Sequence, residues 1–413
     1  MGLLREHLRV FRMSAALGPR TPPVPPTRLI GMNETEAWVL HAGEGSTPTP
    51  GELRRETLEL GALGVDEVLV EPIYGSWDAN MMHAISRSPI DVCKQRNESR
   101  VVLGNCGVGR VVAAGPAAGV EIGKTYLCFG TGRYDRYGYM ELAHGYDAAG
   151  TVGLMARRTK LRARNLIELP PDSRFSLAQW AAFSLKYLTA WSNWRVAYGA
   201  LRLQLSEDDL PRPFVWGWGG GTTLSELDLA RHFGCDTVMI SGSDKHLEEI
   251  AAYGVGTLDR RAFPYLVFDE ERYGNDRDYA KMYRGSEKAF LREVHARTEG
   301  LGASIFVDFI GTPVLRATLR ALGRQGVLAT AGWKCGMKSP LVRAVECLAR
   351  HTHVHTHYAR WSEAAAAVAF AEANAWMPDV RSVYAWDDVP MLVSDYAEGR
   401  VPSYFAVYAV NLE

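Results

Sequence analysis

No run of this sequence approaches the roughly 18 consecutive apolar residues that a membrane-spanning helix needs, so no bilayer-spanning segment is expected. An excess of one charge is also lacking. The chain has 46 Lys and Arg against 47 Asp and Glu, which leaves no electrostatic footprint for nucleic acid. Cysteine is sparse: Cys93, Cys106, Cys128, Cys235, Cys335 and Cys347 stand far apart, and no two form a Cys-x-x-Cys pair. Such spacing suits reduced thiols of a cytoplasmic chain better than a disulfide framework. Internal repeats are missing too. What remains is an ordinary globular composition over 413 residues, enough for about two domains.

The chain changes texture along its length. Residues 1–31 include "LGPRTPPVPPTRLI", which is proline-rich and aperiodic, and carry no secretory apolar core. They are expected to form a flexible N-terminal extension. From 35 to about 190, short β-branched runs such as "EAWVLH", "VDEVLVEPI" and "RVVLGNCGVGRVVAAG" are broken by Gly and Pro, as in a β-rich domain. "SLAQWAAFSLKYLTAWSNWRVAY" is then apolar at helical spacing. After Pro213, strands alternate with helices, which predicts a doubly wound parallel sheet. The charged stretch 261–297 reads as a mostly helical insertion, and the C-terminus turns β again.

The strongest local chemistry lies in "VWGWGGGTTLSELDLARHFG". A strand runs into Gly217, Gly219, Gly220 and Gly221, and a helix is expected to start near Thr222 or Thr223. Glycines let the backbone approach a pyrophosphate, and the free N–H groups of a helix start bind its charge. A glycine turn alone is weak evidence; between a strand and a helix it predicts dinucleotide binding. The next strand ends in "MISGSDK", where an NAD site would place an acid for the ribose hydroxyl. Ser241, Gly242 and Ser243 stand there instead, with Lys245 close by. That favours a 2′-phosphate, hence NADPH. Asp244 fits better as the cap of the following helix.

A second feature is "HTHVHTHYARW". On a strand, His351, His353, His355 and His357 would share one face. A metal site, a pH switch and a plain final strand all fit this pattern.

Several stretches together resemble the medium-chain dehydrogenase/reductase superfamily: "EPIYGSWDAN", "VVLGNCGVGRVVAAG", "SLKYLTAW" and "FVDFIGTPVLRATLRALGRQGVLATAG". Within it, "GYDAAGTVG", "VWGWGGG" and "HTHVHTHYARWSEA" are similar to the crotonyl-CoA carboxylase/reductase branch. The resemblance implies an α/β chain with a GroES-like catalytic domain over 32–195 and 378–413. It implies a Rossmann cofactor domain over 196–377, with the 261–297 insertion inside it. It also implies NADPH-dependent hydride transfer to the β carbon of an α,β-unsaturated carbonyl or thioester. The substrate would be small, either free or linked to CoA or a carrier protein. A homodimer or dimer of dimers is implied, with the histidine strand near the dimer axis.

The same resemblance places His357 at the branch's active-site histidine and Thr189 near the nicotinamide. Gly311, Ala331, Gly332 and Trp333 follow the fourth and fifth strands, where backbone contacts to the cofactor are expected. Tyr74, Tyr146 and Asp147 are further catalytic candidates, and Trp77 and Asp78 would line the substrate pocket. Packing, for Tyr74, and turn capping, for Asp147, are equally good readings. Lys186 and Tyr187 precede Thr189, and either could face the cleft. The cluster Arg157, Arg158, Lys160, Arg162 and Arg164 fits CoA phosphates or a charged surface strand.

Departures from the pattern also matter. Zinc-dependent members carry Cys or His ligands where this chain reads Gly104-Asn105-Cys106 and Trp77-Asp78. The four-cysteine zinc loop is missing, so a metal-independent member is implied. The asparagine of carboxylating members is missing at Tyr74 to Trp77, so carboxylation is not expected. Thr223 replaces the last glycine of the turn, which puts close helix–strand packing in question. A quinone or ketone reductase, or a non-redox member kept for binding or assembly, are the alternatives.

Overall fold

The computed structural model describes residues 33–43, 49–332, 334–336, 338, 340–342, 344–356 and 359–412. The N-terminal extension, Trp333 and His357 lie outside the described residues.

The β-rich part comprises β1 (Glu34–His41), β2 (Leu53–Glu59), β3 (Glu67–Ser76), α1 (Ala79–Ser86), α2 (Val92–Arg96), β4 (Arg100–Val102), β5 (Cys106–Ala114), β6 (Thr125–Phe129), β7 (Thr131–Tyr134), β8 (Met140–Ala143), β9 (Thr159–Arg162) and β10 (Leu166–Glu168). Then comes α3 (Leu177–Arg202), followed by β11 (Phe214–Trp218), α4 (Gly221–His232), β12 (Asp236–Ser241), α5 (Asp244–Ala252), β13 (Gly256–Asp259), α6 (Glu270–Asn275), α7 (Arg277–Arg297), β14 (Ala303–Asp308), α8 (Thr312–Ala321), β15 (Leu322–Thr330) and β16 (His353–Thr356). The chain closes with α9 (Ala364–Asn374), β17 (Val383–Tyr384), α10 (Val389–Ala397) and β18 (Val407–Ala409).

Two principal sheets result. The mixed one runs β10-β6-β5-β3-β18-β17, with β9 also on β3. Its C-terminal strand β18 pairs antiparallel with β3, Tyr74 opposite Ala409. The other sheet is wholly parallel, in the order β13-β12-β11-β14-β15-β16. Helices cover both faces of a parallel sheet, which explains why "FVWGW" and "ASIFVD" are buried throughout and largely apolar.

Helix α3 joins the two sheets. Ser176 and Gln179 form a reciprocal capping box at its start. Every residue from Trp180 to Ala190 is buried, so this stretch is covered on all sides. Val108, Leu127 and Phe129 of the mixed sheet and Val215, Ile305 and Val327 of the parallel sheet pack into one core with it.

Three expectations change. The 261–297 stretch is helical, but it is the crossover that carries the chain from β13, at one edge, back to β14 beside β11. Phe290 and Val294 of α7 are fully buried with Trp218 and Phe306, so the segment belongs to the sheet's own core. The strand β16 spans His353–Thr356. His351 lies before it with a left-handed backbone, φ 54°, which breaks the one-sided histidine row. The cap of α5 is Ser243, and Asp244 begins the helix, ion-paired with Arg261.

Candidate active site

The glycine turn sits at the carboxyl end of the central strand β11, and α4 starts at Gly221, earlier than the sequence suggested. Thr223 is fully buried. A Cβ on Gly219 would lie 2.0 Å from Thr223 Oγ1, and one on Gly217 would lie 2.8 Å from Thr223 Cγ2. The two glycines therefore make room for the threonine. Helix and strand pack closely because Thr223 fills the space, so the doubt raised by this departure is removed. Nothing stands within 4 Å of a Cβ on Gly220, so the outer side of the turn is open.

Beside the turn, β12 ends at Ser241, whose hydroxyl lies 3.4 Å from the Tyr404 hydroxyl. Lys245 points elsewhere: its Nζ donates to the Arg400 and Val401 carbonyls at 3.2 and 2.8 Å. The guanidinium that does stand here is Arg260. A Cβ on Gly242 would lie 3.2 Å from Arg260 Nη2. Arg260 is exposed, just past the end of β13, and its neighbour Arg261 is held by Asp244 and Asp259. Sequence reading missed Arg260, since only strand pairing between β12 and β13 brings it to this loop.

The next two strands also end at this edge. Asp308 Oδ1 accepts from the Ile310 and Gly311 N–H groups, 2.9 Å each, and burial pushes its carboxyl pKa up. Gly311 has φ 92° and caps α8. A Cβ there would lie 2.4 Å from the Gly336 carbonyl, and one on Gly332 would lie 2.5 Å from the Phe309 ring. Ala331 precedes Gly332 and is half-buried.

On the mixed-sheet side, α3 supplies Thr189, buried, with Oγ1 lacking a hydrogen-bond partner among the described residues. Asn105 Oδ1 and the Tyr408 hydroxyl are orphaned likewise. The Tyr408 hydroxyl fills the gap between two glycines. A Cβ would lie 2.2 Å from it on Gly75 and 2.8 Å from it on Gly104.

Next to these stands a charged cluster. Lys186 Nζ reaches Asp78 Oδ1 at 2.6 Å, Ser76 Oγ at 2.8 Å and the Trp77 carbonyl at 3.0 Å. The Cys106 thiol donates to Asp78 Oδ2 at 2.9 Å. Burial, and then the Asp78 carboxylate, push the Cys106 pKa well above its ordinary range. Each of these residues stands out singly in the sequence; their meeting depends on α3 lying against β3 and β5.

Other candidates are placed as follows. Trp77 is core, 1% exposed and packed against Tyr396. Tyr187 is buried among Phe183, Trp376 and Phe405. Tyr74 is half-buried on β3. Asp147 Oδ1 accepts from the Ala143 N–H at 2.6 Å, capping the turn that carries the buried Tyr146. The basic cluster is largely engaged within the fold: Arg157 with Glu36, Arg158 with Glu71, Lys160 with Glu67, and Arg164 over Tyr134.

A resident zinc does not fit these residues. An ammonium already neutralises Asp78, and the sulfur beside it, Cys106, is a thiol held protonated. Among the described residues no three His, Cys, Asp or Glu side chains gather as a metal-binding group.

No family model and no curated protein matches the sequence. Solved structures do resemble the fold. The crotonyl-CoA carboxylase/reductase AntE in complex with NADP is 19% identical, with 94% of this chain and 97% of that one covered at a TM-score of 0.75. The 2-octenoyl-CoA carboxylase reductase CinF, from a Streptomyces species, in complex with NADP and 2-octenoyl-CoA, is 17% identical over 94% and 88% at 0.73. The alcohol dehydrogenase of Aeropyrum pernix is 18% identical over 91% and 99% at 0.70. At these identities the likeness shows the fold: the chain is built as the crotonyl-CoA carboxylase/reductases and this alcohol dehydrogenase are.

Proposed function

We propose that this protein is an NADPH-dependent, metal-independent reductase of an α,β-unsaturated carbonyl or thioester, and that it does not carboxylate its product. The observation that carries the reading is the open glycine turn at the carboxyl end of β11, with Arg260 beside the neighbouring loop. Gly219 to Thr222 would cradle the pyrophosphate at the start of α4. Ser241, Gly242, Ser243 and Arg260 would hold the 2′-phosphate, because an arginine there pairs with a phosphate while an acid would repel it. Gly311, Ala331 and Gly332 would line the dinucleotide at the ends of β14 and β15. When bound, NADPH supplies a hydride.

The chain's own part is to bind, orient and protonate. Thr189 offers, on α3, a hydroxyl without a partner among the described residues. Tyr74, or His357 outside the described residues, would hydrogen-bond the substrate carbonyl as negative charge develops on it, and supply the α proton. An activated alkene is already polarised, so a Lewis acid is not required. Carboxylation is set aside because no asparagine stands at Tyr74 to Trp77. CinF was solved with an enoyl-CoA, which favours a thioester here over a quinone or free ketone. A CoA- or carrier-linked substrate is therefore part of the reading.

The test is a titration of NADPH and NADH by nicotinamide fluorescence. NADPH oxidation is then followed against enoyl-CoAs, enones and quinones, with and without bicarbonate. Binding of neither nucleotide would sink the reading, and a carboxylated product would overturn its last clause. Arg260→Ala is expected to weaken NADPH binding by about tenfold or more, the loss of a charge-assisted contact, and to leave NADH unchanged. Equal weakening of both would remove Arg260 from the 2′-phosphate site. We also propose that β16, the sheet's edge strand, pairs with a second copy in a homodimer; a monomeric mass by light scattering would contradict this.

A further inference from the structure

Lys186 touches both halves of the site. Its stem passes under the nucleotide turn: a Cβ on Gly221 would lie 2.8 Å from Lys186 Cδ. Its ammonium ends on the loop after β3, against Asp78, Ser76 and the Trp77 carbonyl. An ammonium has three N–H donors, and here all three have acceptors. Both Asp78 oxygens also have donors, Lys186 on one and Cys106 on the other. Lys186 and Asp78 are each 6% exposed and Cys106 is fully buried. A buried ion pair is tolerable only when its hydrogen-bonding capacity is met in this way. The cluster is electrically neutral, and each of its polar atoms already has a partner within it. What it does is join α3, the first loop and the nucleotide turn through one side chain.

We propose that Lys186 is the resident cation of this site: a positioning residue that fixes the first loop beneath the nucleotide turn and closes the Asp78–Cys106 pair to divalent metals. A metal would have to expel an ammonium from its carboxylate and ionise a buried thiol, for two anionic ligands at most. Catalytic zinc needs three protein ligands. The positioning part rests on the reductase reading for its kinetic readout; the electrostatic and metal parts do not.

The test uses the full-length protein, with Lys186→Met, Asp78→Asn and the double variant. Each single change leaves one buried partner unpaired and is expected to lower the melting temperature sharply or prevent folding. The double variant removes both charges and is expected to melt well above either single one. Additive losses would overturn the ion-pair role. Wild-type protein with Co2+ needs no variant to fold. It is expected to show no thiolate-to-cobalt charge-transfer band, and a band that Cys106→Ser abolishes would overturn metal exclusion. In the double variant, NADPH affinity is expected to stay within about threefold while kcat falls by about tenfold or more, because the first loop is no longer held in register. An unchanged kcat would overturn the positioning role. Failure of the wild type to bind NADPH would sink the reductase reading and leave the melting and cobalt results standing.

Discussion

Replacing Gly219 by alanine is expected to weaken NADPH binding by about 100-fold or more, a loss of roughly 2.7 kcal/mol. The added methyl carbon would lie 2.0 Å from Thr223 Oγ1 and 3.1 Å from both Thr223 Cβ and Phe309 Cβ. None of these can easily give way. Thr223 is β-branched, sits in the first turn of α4 and is fully buried, so few rotamers are open to it. Phe309 packs against the main core. The helix start must therefore retreat, taking with it the N–H groups that face the pyrophosphate. Overpacking of this kind also costs about 1–3 kcal/mol of stability, so the melting temperature should fall. Adding Thr223→Ala to Gly219→Ala removes the oxygen that clashes and is expected to restore part of both. Fluorescence titration and thermal melting read the two effects. NADPH binding within threefold of wild type in Gly219→Ala would show that the turn does not cradle the dinucleotide.

The second large effect concerns Glu226, which is fully buried on α4 and accepts from Asn193 Nδ2 of α3 at 3.1 and 2.8 Å. Burial raises its pKa to about 8, and the Asn193 contact offsets this only in part. The neutral acid suits its surroundings: Asn193 Oδ1 has no donor among the described residues, and half a turn of that amide would present it to the acid's O–H. The sign follows by linkage. Between about 4.5 and about 8 the folded chain keeps a proton that the unfolded chain has released, so this group's contribution to stability is lost as pH rises. The slope is roughly 1.4 kcal/mol per pH unit.

Other groups act at lower pH. His144 and His246 are held down to about 4 and Asp228 up to about 6, all first by burial. The histidines add stability as pH rises towards their unfolded value, and Asp228 subtracts it. Above pH 6.5 these have finished and Glu226 continues. Glu226→Gln is therefore expected to gain about 2 kcal/mol relative to wild type between pH 6.5 and 8. Denaturant melts at the two pH values measure it. A difference that does not change with pH would mean that Glu226 is ionised in the folded protein.

What the sequence disclosed follows the range of the interactions involved. The strand–glycine–helix unit at 214–232 was legible because strand periodicity, turn chemistry and helix pattern all lie within some twenty consecutive residues. The alternation of strands and helices was legible for the same reason. Helix α3 could be read as a helix, but its role as the seam between two sheets could not, since a helix apolar on all sides says only that something surrounds it. Arg260 escaped notice because its partner loop, at Gly242, is adjacent in the sheet and not in the chain. Lys245 drew attention by proximity in sequence and proved to grip the backbone near the C-terminus. Asp78, Cys106 and Lys186 were each noticed alone, and only the packing of α3 on β3 and β5 makes them one cluster.

The position of β18 bears on how such a chain comes to fold at all. It lies between β3 and β17 and lines up with residues made some hundreds of positions earlier. β9 covers Glu67–Val70 on this edge of β3, but until β18 is made Tyr74–Ser76 has no strand neighbour there and stays available for pairing with a passing strand. At a ribosome's pace of about 5–20 residues per second, that interval lasts tens of seconds. The parallel sheet, contiguous from β11 to β16, is complete well before the mixed one. β18 thus seals the half of the fold that was begun first.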